Sequence, residues 1–420
     1  MNIISSQIHI FIILYCYKNA GVLRLMITTT PSELTSQLQR WLSFLEQDPK
    51  NNHLISSILE LALETNQSNI LNQMMIHIQT QNIHEPQLNS LASLVCLQLG
   101  KCQEAIIFGE YVLGTEFENA TVLHNLAYAQ LYLGDYKKAQ SILEPLIEFS
   151  NALDANTYVL YARIKHHLEC PEDAIHALEK AIALNPSHAE ALGNLALLQY
   201  ETDHNLSDYA NVKETAKKAL SLDPYQLEAL LALAEVQLNE RNISTARNSF
   251  NLILEHHPQS GRAWSGLGQL EFYETHIDQA EKNLLTAVEY MKDHVGTWQV
   301  LGWCYVLKND IEKAAWAFET SLPLNTEFAD SYGGLAVVEA MRNNTYTANQ
   351  LIKKAFELDE NSMAAAFAEY VLLNNAGSPD AAQQKMNSVL TRRAPSSDRS
   401  GQTLVNDWLA KHPNFQKHLN

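Results

Sequence analysis

Alanine recurs through this chain on a 34-residue ruler. It stands at Ala105, Ala139, Ala174, Ala246, Ala280, Ala314, Ala348 and Ala382, at intervals of 34, 35, 72, 34, 34, 34 and 34. The long interval is 34 plus 38, with Val212 at the skipped position. Twelve residues before each alanine, and sixteen before Val212, runs a second ladder of mostly small residues: Ser93, Ala127, Ala162, Ala196, Ala234, Gly268, Gly302, Ala336 and Tyr370. Pro186, Pro224 and Pro258 fall twelve residues after three members of the first. Two ladders in one register from Ser93 to Ala382 mark a repeat array. A chain of 420 residues built otherwise would hold about three ordinary domains.

Each period reads as two antiparallel helices. In the stretch from His124 to Leu146, apolar residues recur at i, i+3, i+4 and i+7 on both sides of Gly134-Asp135. Gly134 is free to take the left-handed conformation that ends the first helix, and Asp135 suits the turn after it. Small residues belong where helices cross closely, because a large side chain there forces the axes apart. A two-helix hairpin is too thin to bury its own apolar face, so neighbouring hairpins must stack into one continuous core. The fold class expected is an all-α solenoid.

The pattern resembles the tetratricopeptide repeat family, whose signature is W-x2-L-G-x2-Y followed by A-x3-F, A and P. Trp298, Leu301, Gly302, Tyr305, Ala314, Phe318 and Ser321 match it most fully. Trp264, Leu267, Gly268, Ala280, Leu284 and Ala287 form a second match, and Leu123, Leu126, Ala127, Ala139 and Leu143 a third. The resemblance implies a right-handed superhelix of helix-turn-helix repeats, about nine of them over 86–394. Residues 32–85 read as a capping helix, with Leu38, Trp41, Leu42 and Leu45, and a degenerate repeat. The stretch "ETDHNLSDYANV" carries four extra residues, which fit a longer turn between two helices. Residues 395–420 read as a linker and a capping helix, Thr403 to Lys411, whose Trp408 and Leu409 cover the last repeat.

The same resemblance places a binding groove on the first helix of each repeat. Mapped onto this sequence, its faces carry His124, Asn125, Tyr128 and Tyr132, then Arg163, His166 and His167. Asn194, Leu197, Tyr200, Glu228, Glu235 and Asn239 follow, then Arg262, Gln269, Phe272, Tyr273, Gln299 and Trp303. Aromatic side chains interspersed with amides suit an extended or helical peptide. Family members that grip terminal carboxylates use Lys, Arg and Asn on three successive helices. Here Asn125 and Asn194 hold the asparagine position, but Asn156/Leu160 and Glu228/Ala232 stand where the basic pair belongs. The chain lacks that clamp, and Glu190, Glu228 and Glu235 favour an apolar or mildly basic segment.

Composition narrows the function classes further. With 29 Lys+Arg against 47 Asp+Glu the net charge is −18, which argues against nucleic acid or an anionic membrane as the main partner. No Gly-rich phosphate loop, H-E-x-x-H, G-x-S-x-G or paired C-x-x-C occurs, so no catalytic residue, cofactor or metal is expected. Of the sixteen histidines, His166-His167 and His256-His257 are adjacent pairs, which point to different sides of a helix. The five cysteines read as small apolar residues rather than a disulfide framework.

At the other end, Ile8 to Cys16 is an apolar run too short for a membrane span. Lys18 and Arg24 follow it rather than precede it, unlike a secretory signal. Residues 1–25 are read as an upstream extension with translation starting at Met26, and the location as cytoplasmic. Secretion to the periplasm or a lipid anchor is the alternative if the segment is a signal. The expected function is a noncatalytic scaffold that binds a protein segment in the groove. The rivals are a chaperone or assembly factor for a secretion or surface-appendage system, and the regulatory subunit of an enzyme. Self-association through exposed repeat ends stays open.

Overall fold

The structure, a computed structural model, describes residues 31–116, 118–149, 153–202 and 209–390. The readings of residues 1–25, of Met26 and of the cap at 395–420 lie outside these, as do residues 203–208 of the long turn. Among the described residues the regular structure is helical throughout, and two compact units divide at Ala191/Leu192.

In the first unit α1 (Pro31–Gln47) stands before the hairpins. These are α2 (Asn52–Glu64) with α3 (Ser68–Thr80), α4 (Pro86–Gln98) with α5 (Cys102–Glu110), α6 (Ala120–Tyr132) with α7 (Tyr136–Phe149), and α8 (Ala155–His167) with α9 (Pro171–Leu184). The pair α10 (Ala189–Thr202) and α11 (Ala210–Leu222) opens the second unit. It continues with α12 (Leu227–Asn239) and α13 (Ile243–His256), then α14 (Gly261–Tyr273) and α15 (Ile277–Tyr290). The last pairs are α16 (Val295–Leu307) with α17 (Ile311–Ser321), α18 (Ala329–Met341) with α19 (Thr345–Leu358), and α20 (Met363–Asn375) with α21 (Pro379–Leu390). The first helix of each pair is called A below, and the second B.

Local chemistry sets the ends of these helices. Asn119, Asp154 and Ser260 cap A helices by accepting backbone amides of the first turn. Nine of the ten A helices end in a described residue with positive φ: Asn66, Gly100, Gly134, Glu169, Arg241, Thr275, Asn309, Asn343 and Gly377, with φ of 54–83°. These residues keep the repeat period, so the turn geometry is as regular as the core. Gly134 has the left-handed conformation its sequence context implies, and Asp135 accepts the Lys138 amide at 3.1 Å.

The ladders are the packing contacts. Ala105, Ala139, Ala174, Ala246, Ala280, Ala314 and Ala348 are wholly buried, and so are most of the small residues twelve positions earlier. Ser93 joins its own hairpin by donating its hydroxyl to the Ala105 carbonyl at 2.7 Å. Phe318 shows how tightly the surfaces fit. It is fully buried between Gly302 of its own A helix and Gly334 of the next one. A methyl added at either glycine would meet the Phe318 ring at 2.5 Å. Phe250 stands in the same relation to Gly266 of the next A helix, while the repeats with Leu143 and Leu178 at this position carry Val159 and Asn194 there. Ring and glycine are thus one packing unit, and the helices come together only because the Cβ is missing.

Gly334→Ala is therefore expected to cost roughly 1–3 kcal/mol by overpacking. Phe318→Leu in the same chain should restore part of that loss. Urea denaturation of the two single variants and the double variant checks the coupling; additive losses would refute it.

Candidate functional site

A helices pack directly on their neighbours within each unit: α2 on α4, α4 on α6 and α6 on α8 in the first, α12 on α14, α14 on α16, α16 on α18 and α18 on α20 in the second. Side chains on the face away from the B helices are left to solvent or to one another.

In the first unit, α6 and α8 supply the aromatic part. Tyr132 is 68% exposed and stacks on half-buried Tyr128, with ring centroids 6.5 Å apart. Burial pushes the Tyr128 hydroxyl up, an effect the nearby Arg163 opposes. Arg163 is half-buried and 3.8 Å from Glu190, a loose pair. His167 is exposed and lies flat on Tyr136 at 4.4 Å. Asn125 is only 3% exposed, so it sits beneath this surface, its Oδ1 without a hydrogen bond.

In the second unit the groove-side residues divide into polar and aromatic groups. Tyr200 accepts a hydrogen bond from Asn239 Nδ2 at 2.9 Å, and the same amide reaches the buried Tyr209 hydroxyl at 3.2 Å. Tyr209, the residue just before α11, is tied to α12 by that second bond. Arg262 donates to Glu201, and Glu235 lies close to both. Burial pushes the Glu235 carboxyl up, Arg262 opposes this, and Glu201 adds to it. Asn194 and Gln269 are half-buried.

Among the aromatics, Tyr273 stays 44% exposed, with the Arg241 guanidinium 4.8 Å from its ring centre. Phe272 and Trp303 are half-buried and pack against the core, Trp303 edge-on to Phe318 at 5.9 Å and Phe367 at 6.0 Å. Leu197 is buried. Gln299 corrects an expectation: it is interior, and its Nε2 donates to the Ser321 and Ser331 hydroxyls at 2.8 Å each. The small side chains around it let the amide turn inward, which helical spacing alone does not reveal.

Sequence reasoning missed the polar network behind this face. Arg247 on α13 donates to Glu271 and, at 2.5 Å, to Glu274, while the His276 ring is 2.8 Å from Glu271. Glu271, Glu274 and His276 bring ligand-type atoms within 4.8 Å of one another, and the Arg247 guanidinium already donates to both carboxylates. Burial alone would raise the Glu271 carboxyl, yet hydrogen bonds from Arg247 and His276 outweigh it and the net shift is downward. Buried Cys96 and Cys304 have thiols pushed up to about 12 by burial, which leaves them unreactive packing residues.

Comparison with known proteins fits this geometry. Two tetratricopeptide repeat models match residues 170–203 and 206–270, and the model of anaphase-promoting complex, cyclosome, subunit 3 matches residues 98–181. The chain is a tetratricopeptide repeat protein. This repeat protein is 22% identical over 290 residues to the BBSome complex member BBS4 of Bos taurus, a match covering 66% of the chain and 53% of that relative. It is 27% identical over 160 residues to the general transcriptional corepressor ssn6 of Schizosaccharomyces pombe, covering 38% of the chain and 14% of that relative. The chain thus spans about half the length of the first relative and a small part of the second. Solved structures that align with it include a human IFIT1 dimer with m7Gppp-AAAA (15% identity, 80% and 82% of the two chains, TM-score 0.49). Another is yeast Tom70 (15% identity, 92% and 93%, TM-score 0.37). No helix among the described residues of this repeat protein is long and apolar enough to cross a membrane.

The lowered Glu271 carboxyl gives a pH prediction. A group depressed in the folded state stabilises above its unfolded value, and that stability is lost as pH falls through the folded value. Glu271→Gln should destabilise by roughly 1–3 kcal/mol at neutral pH. The gap to wild type should close below the ordinary carboxylate range. Thermal melting at stepped pH checks it; a gap that is unchanged in acid would refute the linkage.

Proposed function

We propose that this chain is a noncatalytic scaffold that binds an extended segment of another protein along its A-helix faces. The observation that carries the reading is that Tyr132 on α6 and Tyr273 on α14, at the same position of their repeats, stay exposed while the stacking buries most apolar neighbours. Large aromatic side chains with a polar tip give much contact area for little ordering cost, which is what a peptide groove needs. Tyr128, Arg163 and His167 around the first, with Asn125 beneath, and Arg241 beside the second supply polar contacts to orient a backbone. Within the second unit, Tyr200, Glu235, Arg262, Asn194 and Gln269 add polar groups beside Tyr273, while Phe272 and Trp303 pack against the core.

A second reading is favoured by the matches to subunits of large assemblies, the cyclosome subunit model and the BBSome member. In that reading the partner is a neighbouring subunit held permanently. The chaperone role for a secretion or appendage system has the same surface but a transient partner.

Tyr132→Ala and Tyr273→Ala are expected to leave the helical melting curve in place and to weaken partner capture roughly tenfold each, the loss of one aromatic anchor. Phe272→Ala and Trp303→Ala should instead lower the melting temperature. The measurement is affinity capture from the native host's lysate with mass spectrometry, beside circular dichroism melts. Unchanged capture by both tyrosine variants would sink the groove reading. The native mass of the captured complex separates a stable subunit from a transient client.

A further inference from the structure

Of the nine residues with positive φ that end A helices, six are glycine or asparagine, the types that tolerate this backbone best. Arg241, at φ 60°, is an exception. A residue held where its side chain costs free energy points to a contact or a use that offsets the cost. The contact Arg241 makes is with Tyr273, the last residue of the next A helix, α14. Its guanidinium lies over that ring, 4.8 Å from the centre, and both side chains are exposed.

The guanidinium has no partner of opposite charge. Among the described residues it meets no carboxylate within ion-pair distance, because the acids beside it in sequence are engaged elsewhere. Glu240, its chain neighbour, pairs with Lys213 and accepts the Asn242 amide at 3.2 Å. Glu274, next to Tyr273, pairs with Arg247 at 2.5 Å, and Glu271 pairs with Arg247 and with His276 at 2.8 Å. The other described arginines of the second unit, Arg247, Arg262 and Arg342, each donate to a carboxylate.

A guanidinium resting on a tyrosine face keeps its N–H donors in its own plane, where one carboxylate can accept two of them side by side. The ring restricts the long side chain to few conformations, so less ordering is needed when the acid arrives. Glu228 and Glu235 on α12 favour a basic segment along the helix face, and at the turn edge beside Tyr273 the sign reverses.

We propose that Arg241, laid on Tyr273, is the subsite that takes one aspartate or glutamate side chain of the bound segment. The proposal rests on the groove reading above and names a residue class that reading leaves open. The tyrosine supplies the bearing surface and the arginine the charge, while the neighbouring carboxylates stay with their own cations.

The test uses the full chain and fluorescein-labelled alanine–serine peptides that differ at one central residue, glutamate or its uncharged isostere glutamine. Fluorescence anisotropy is read at moderate salt, so that the field of the net charge of −18 is screened. The glutamate peptide is expected to bind about fivefold tighter, the upper end for an exposed ion pair in good geometry. Arg241→Asn gives this turn the residue found at Asn309 and Asn343, so it should melt no lower than wild type and lose the preference. Lys282→Gln, on the exposed side of α15, changes the net charge equally and should keep it. If Arg241→Asn melts lower, Arg241→Gln, which leaves a polar side chain near the ring, carries the same comparison. Equal binding of the two peptides by wild type overturns the subsite and leaves the groove reading in place. A glutamate preference that survives loss of Arg241 overturns it too, by placing the acid elsewhere. Failure of both peptides to bind overturns the subsite, and the groove reading then stands or falls on the tyrosine variants.

Discussion

The close approach of A to B helices at the small-residue ladders is the contact on which the rest of the structure depends. Helices of about thirteen residues are marginal in water, and several A helices here are apolar on every side, α16 among them. Such a helix is held only if both flanks are covered, by its own B helix on one side and by the neighbouring hairpin on the other. The wholly buried alanines and the glycines against Phe318 set the separation at which that cover is complete. Stability then accrues interface by interface, as expected of a stack whose members touch only their neighbours.

The same constraint shapes the candidate face. Once stacking has buried the B-helix side of each A helix, the polar groups on the opposite side must satisfy one another or water. They do so through ties between repeats: Asn239 to Tyr200, Arg262 to Glu201, His188 to Asn156. A face built this way is preorganised, and what it offers a partner is the charge and aromatic area that the ties leave over.

The fold was legible because one period is repeated many times: the alanine and small-residue ladders identified the hairpins, and Gly134-Asp135 identified a turn. Glycine was not needed to find the other turns. Arg241 and Thr275 take left-handed φ at the same register, and only the repeat spacing, not their own propensities, pointed there. The candidate face was less readable. Helical spacing assigns a side, but not depth, so Gln299 and Asn125 were placed on the surface although each is buried. Phe272 and Trp303 were read as groove aromatics, and both are half-buried against the core, Trp303 edge-on to Phe318 and Phe367. Long-range ties such as Arg262 to Glu201, and the Arg247–Glu271 network, had no sequence signal, because they depend on how successive repeats are turned relative to each other.

The pairing of Phe318 with Gly334 also limits how the array can be shortened. Removing residues 329–362 would preserve the period but bring Phe318 opposite Ala368, whose methyl occupies the room the ring requires. Removing 295–328 would preserve it equally well and set Gly334 against Leu284, a smaller side chain that leaves a gap. The modules of this protein are therefore not the repeats as numbered from one A helix to the next. The exchangeable piece runs from the middle of one B helix to the middle of the following one, so that each bulky residue keeps the glycine that makes room for it.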